Sequence, residues 1–210
     1  MEQAATRIPL LYAIVFINGA VLMGFEILGS RVLAPYFGNS IFVWGSLIGV
    51  FMAGMALGYF LGGWLGDRWP SRFLFASLLA LSGLFMLVFP YWGFHVAEWI
   101  ADFDPGPRAG PLLACSLLFL APSVSLGAVS PFAFVLAVRD LRSAGRSVGS
   151  LYAVSTVGSI FGTLGTAFYM ILWAGTRSSL QWLGAMLIFS ALAAMFIEKN
   201  PSSGQAPVKP

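Results

Sequence analysis

The sequence predicts an all-α integral membrane protein of six transmembrane helices, arranged as a 3+3 inverted repeat. Three observations carry that expectation. Of 210 residues, 59% are hydrophobic and 9% charged, against about 25% charged in soluble domains, and the mean hydropathy is +0.86. The apolar residues gather into six stretches, each near the roughly 20 residues that a helix needs to cross the hydrocarbon core. The second and fifth stretches also match at one fixed offset: Gly45-Ser46-Leu47 with Gly149-Ser150-Leu151, Val50 with Val154, Gly54 with Gly158, and Gly58 with Gly162. Three helices is an odd number, so two such copies would have opposite orientations in the bilayer.

The first stretch covers residues 9–31. Its apolar run from Pro9 to Gly29 is longer than the core of a signal peptide and has no small-residue cleavage site behind it, so it reads as a span. The second covers 42–66. Gly54, Gly58, Gly62 and Gly66 recur every four residues, as do Gly45 and Gly49, giving a flank almost without side chains that another backbone can approach closely. The flank serves packing inside the bundle, or it forms a homodimer contact, or it slides during a transport cycle. The third stretch covers 72–93, and beyond it Phe94 to Gly110 reads as the largest external loop, with Trp92, Phe94 and Trp99 at its start as an interfacial aromatic belt and His95 within that belt. The fourth covers 111–138. Pro122 and Pro131 each remove a helical hydrogen bond, which kinks the helix or breaks it into a binding feature, leaving Ser123, Ser125 and Ser130 to satisfy freed backbone groups. The fifth covers 148–173, with Gly158, Gly162 and Thr166 as a shorter small-residue flank, and the sixth covers 179–197. Residues 1–8 form an N-terminal segment, 9–199 the membrane domain, and 200–210 a disordered tail rich in Pro, Ser and Gly.

Basic residues set the orientation. With both termini in the cytoplasm, Arg7, Arg68, Arg72, Arg139, Arg142, Arg146, Lys199 and Lys209 lie inside, while Arg31, Arg108 and Arg177 lie outside. The expected location is a bacterial inner membrane. The net charge of +3 is spread over helix ends and forms no block that could neutralise phosphates along a nucleic acid. The single cysteine, Cys115, makes no internal disulfide and no thiolate metal cage. No hydrolase elbow, carboxylate pair, metal-ligand cluster or phosphate-cradling loop appears, so the sequence leads us to expect neither an enzyme nor a bound cofactor or metal.

Glu26 is the acidic residue well inside a span, which makes it a functional candidate. Left unpaired it could bind a cationic amine or carry a proton; permanently paired it is a structural pin. Arg31 is the nearest counter-charge, but five residues along a regular helix it sits about 140° round the axis, so pairing requires the helix to loosen near Gly29. Asn18 on the same span, with Ser155, Ser159 and Thr163 on the fifth, could line a cavity or bond neighbouring helices.

Two resemblances follow from these motifs. The segment Gly66-Asp67-Arg68-Trp69-Pro70-Ser71-Arg72 resembles the acidic and basic loop between the second and third helices of major facilitator transporters, which implies a cytoplasmic latch of Asp67, Arg68 and Arg72; a topological anchor is the alternative. The run from Gly24 to Gly38, with Val43-Trp44-Gly45-Ser46, Gly58-Tyr59-Phe60-Leu61-Gly62-Gly63, Gly127-Ala128-Val129-Ser130-Pro131 and Tyr152 to Thr163, resembles the membrane region of spermidine synthase-like proteins, described as a major-facilitator-like half fused to a synthase. Ser155 departs from the Asn-Thr pair expected there, and the synthase domain has no counterpart in this sequence. The resemblance implies a half-size transporter-like protein for a small polar or cationic solute, such as a polyamine, acting as a homodimer or with a partner. The alternative it leaves is a non-catalytic membrane anchor or regulatory subunit of a separately encoded enzyme or larger complex.

Overall fold

A computed structural model describes residues 2–137 and 144–197, with side chains described for 8–137 and 145–197. Arg139, Arg142, Lys199, Lys209, the last residue of the predicted fourth span and the predicted tail lie outside the described residues, as does the side chain of Arg7.

The first four elements are unbroken helices: α1 (Glu2–Phe37), α2 (Ile41–Arg68), α3 (Arg72–Asp102) and α4 (Gly106–Ala137). Gly38, at φ 71°, stops α1 by taking the left-handed conformation that a side chain disfavours. Ser40 and Ser71 then start α2 and α3, their hydroxyls accepting from the amides of Val43 and Phe73. Pro122 and Pro131 are absorbed without a break in α4. Phe94 to Gly110 is not an external loop: α3 runs on through Asp102 and α4 begins at Gly106, so only 103–105 connect them. Its few charges cannot outweigh a helical pattern that continues through Val96, Ala97 and Ile100, all facing the core.

The fifth element, α5, is one helical run: a first arm (Ala144–Gly165), a π-helical turn (Thr166–Met170) and a second arm (Ile171–Ala194). This overturns the expected six helices and with them the 3+3 inverted repeat. Among the described residues, five helices are long and apolar enough to cross a membrane, the last being the 50-residue run Gly145–Ala194. The expected boundary lay at 174–178, but helix continues to Ala174 and resumes after Gly175, where Ser179 Oγ donates to the carbonyl of Gly175 at 2.6 Å. The run bends at Gly175, whose φ of 72° and ψ of 174° are non-helical and open to glycine. The two arms do not pack on each other.

Three close helix pairs build the bundle. α2 runs alongside α4 in the same direction, Gly54 meeting Ser123 and Gly66 meeting Val135. The first arm of α5 runs alongside α1, also in the same direction, Gly158 meeting Phe16 and Gly162 meeting Ala20. The second arm runs against α3, Gly83 facing Gly184. Where the first four helices meet, Phe25, Phe51, Phe89 and Phe119 interlock with ring centroids 5.3 to 6.1 Å apart. Tyr12 on α1 and Ser150 on α5 share a hydrogen bond, fixing the starts of those two helices at one end. Arg72 at the start of α3 donates to the carbonyl of Ile197 at 3.4 Å, fixing the end of the second arm beside it.

Candidate functional site

Small residues set the distance between helices, and that spacing positions the polar groups. On α2, a Cβ at Gly54 would fall 2.5 Å from Cβ of Ser123, and one at Gly58 or Gly62 would fall on the carbonyl oxygen of Val124 or Ala128. Gly66 rests against Val135. The four glycines are therefore covered by α4 inside one chain. Gly45 and Gly49 do not belong to that flank, because the five-residue step from Gly49 to Gly54 turns about 140°; they face open space.

Ser155 and Ser159 of the first arm lie on the α1 side, whereas Thr156 is exposed. Ser159 Oγ donates to the carbonyl of Gly19 at 3.2 Å and to that of Ser155 at 3.0 Å, so it links two helices. Thr163 donates to the carbonyl of Ser159 at 2.9 Å, and the carbonyl of Ser155 lies where a Cβ on Gly19 would fall. Gly158 and Gly162 close the same interface. Asn18 is 2% exposed. Its Nδ2 donates to the carbonyl of Leu126 on α4 at 3.0 Å, while its Oδ1 is buried without a partner among the described residues.

Glu26 is 8% exposed. α1 is continuous here, so Glu26 sits about 20° from the face that carries Gly19 and about 60° from the face that carries Gly29. Gly19 meets Ser155 of α5, whereas Gly29 meets Leu47 of α2 and Phe119 of α4. The carboxylate thus falls between α5 on one side and α2 with α4 on the other. α2 and α5 approach nowhere within 8 Å between Cα atoms. They are bridged instead by the rings of Tyr59 and Tyr152, edge to face at 6.3 Å. Helical rise places those rings roughly 15 to 20 Å below Glu26 along the bundle. The arrangement is a cleft with a carboxylate at one level and tyrosines across it at another.

Arg31 does not join this site: it is exposed, and the unloosened helix keeps it on another face. Asp67, Arg68 and Arg72 share the corner between α2 and α3. There the Arg68 guanidinium lies over Trp69 at 5.6 Å and that of Arg72 over Phe73 at 5.1 Å. Among the described residues Asp67 has no ion pair with either. Three features escape a reading of the sequence. Tyr12 with Ser150 and Tyr59 with Tyr152 are pairs that only the packing creates, although tyrosines inside apolar spans are a usable flag. Gly19, against Ser155, and Gly24, against Thr166 and Leu183, lie about 140° apart on α1, so no four-residue spacing marks them.

The chain is similar to a protein named MFS-type transporter from Gibberella moniliformis (strain M3125 / FGSC 7600), with 28% identity over 162 residues, covering 74% of this chain. It spans 35% of that relative's length. No protein-family model and no solved structure matches it. The span-length helices fit a membrane protein, and the likeness is to a transporter.

Proposed function

We propose that this chain handles a small cationic solute in the cleft between α2 and the first arm of α5, with Glu26 as the binding carboxylate. The observation that carries the reading is the position of Glu26, nearly buried within a membrane-crossing helix between two glycine-locked helix pairs. An ionisable group at such depth is costly unless a cation or proton neutralises it. The likeness to a transporter supports movement of that cation rather than its permanent retention. The sequence resemblance to spermidine synthase-like proteins makes a polyamine a member of the solute class. α2 and α5 stand apart beside Glu26, and on this reading a second copy or a partner bundle completes the pathway. We place the end carrying Arg68, Arg72 and Arg146 in the cytoplasm of a bacterial cell, following the bias of basic residues.

Calorimetric titration of the purified protein in nanodiscs tests the binding step. Diamines and triamines are expected to bind, the isosteric alcohols are not, and Glu26→Gln should weaken amine binding by about tenfold or more, the size of one lost charge-assisted contact. Equal affinity in the wild type and Glu26→Gln removes Glu26 from the site.

A further inference from the structure

The corner between α2 and α3 carries a second kind of site. Trp69 to Ser71 join the two helices, yet α2 and α3 approach nowhere within 8 Å between Cα atoms. Both pack on α4. Phe60 and Trp64 lie one turn apart on the face of α2 turned away from α4 and are 73% and 50% exposed; Phe73, likewise on the face of α3 away from α4, is 58% exposed. At the corner, Trp69 stands edge to face with Trp64 at 5.7 Å, and the Arg68 and Arg72 guanidiniums lie over Trp69 and Phe73.

We infer that this corner binds an anionic glycerophospholipid, its phosphate on Arg68 and Arg72 and an acyl chain along the outward-facing rings of Trp64 and Phe60. A guanidinium stacked on a ring uses its flat face and leaves its N–H edge for phosphate oxygens, a geometry an ammonium cannot reproduce. Arg72 spends one N–H on the carbonyl of Ile197, which orders its side chain and leaves the rest of the fork. The tryptophans hold the level of the headgroups, where amphipathic rings collect, and the exposed rings below them continue into the hydrocarbon. Asp67, exposed on the last turn of α2, opposes an anion; two guanidiniums against one carboxylate leave the corner cationic. Salt bridging between Asp67 and the arginines would compete with the lipid, and among the described residues that bridge is not made.

Native mass spectrometry and thermal unfolding of the full chain, titrated with phosphatidylglycerol or phosphatidylcholine, provide the test. The expected result is retention of one or more phosphatidylglycerol molecules, with a rise in melting temperature that phosphatidylcholine does not match. Arg68→Gln/Arg72→Gln should weaken retention at least fivefold, Arg68→Lys/Arg72→Lys should weaken it less, and Asp67→Asn should strengthen it. The strengthened variant keeps the test informative where the arginine variants fold poorly. Equal retention of the two lipids, or undiminished phosphatidylglycerol binding in a folded Arg68→Gln/Arg72→Gln protein, overturns the inference. Full competition by inorganic phosphate or glycerol phosphate overturns it too, assigning the corner to a soluble anion.

Discussion

The α2–α4 and α1–α5 interfaces use the same backbone device and differ in what surrounds it. Each aligns two helices in the same direction and lets glycines meet carbonyl oxygens, Gly58 and Gly62 against Val124 and Ala128 in one, Gly158 and Gly162 against Phe16 and Ala20 in the other. Close approach of this kind replaces the hydrophobic effect, which lipid does not supply between helices. In the first pair the hydroxyl of Ser123, against Gly54, stays within α4 by donating to the carbonyl of Phe119. The second adds a ladder of hydroxyls, with Ser159 bridging to α1, and its α1 partner carries Asn18 and Glu26 toward α4 and the cleft. The lesson is that the two locks hold rigid walls, and that Asn18 and Glu26 sit on α1, which packs against helices of both.

Bulk at the locks should have the largest effect. Gly58→Leu, Gly62→Leu and Gly162→Leu each drive a side chain into backbone that cannot yield, and each should cost about 3 kcal/mol in detergent unfolding, with aggregated protein as the visible outcome. The comparison sharpens on α2 itself: Gly45→Ala and Gly49→Ala, facing open space, should stay within about 0.5 kcal/mol of wild type or exceed it through helix propensity. A loss at Gly45 equal to that at Gly58 would mean that a partner covers the open flank. A smaller effect separates the two interfaces by their polar content. Ser159→Ala removes the bridge to Gly19 and should cost about 0.6 kcal/mol, the usual worth of an interhelical hydrogen bond in a membrane, read as a shift in the unfolding midpoint.

The parts of the fold legible in the sequence are those set by local pattern. The apolar lengths placed the starts of α2 and α3 close to where they stand, and the four-residue spacing of Gly54 to Gly66 marked a flank made for close approach. The Gly45–Gly49 pair was misplaced with it because a break in spacing by one residue moves a group to another face. The run through residues 174–178 escaped for a different reason: the non-helical Gly175 joins two helical arms directly, so polar residues that look like a loop are held within helix. Glu26 was legible as a charge in an apolar span, but its surroundings were not. The angle to Arg31 could argue against pairing, while the cleft depends on α2 and α5 standing apart, a property of tertiary packing that no spacing within either helix encodes. The tyrosine bridge across that gap was invisible for the same reason.

Transport itself is tested most directly by uptake of a labelled polyamine into liposomes reconstituted with matched amounts of folded wild-type and Glu26→Gln protein. Accumulation above protein-free liposomes by the wild type, falling to that baseline in Glu26→Gln, is the predicted result. Accumulation at the same rate in both, or baseline uptake in the wild type under an imposed gradient of the amine, would contradict the assignment of Glu26 to a solute pathway.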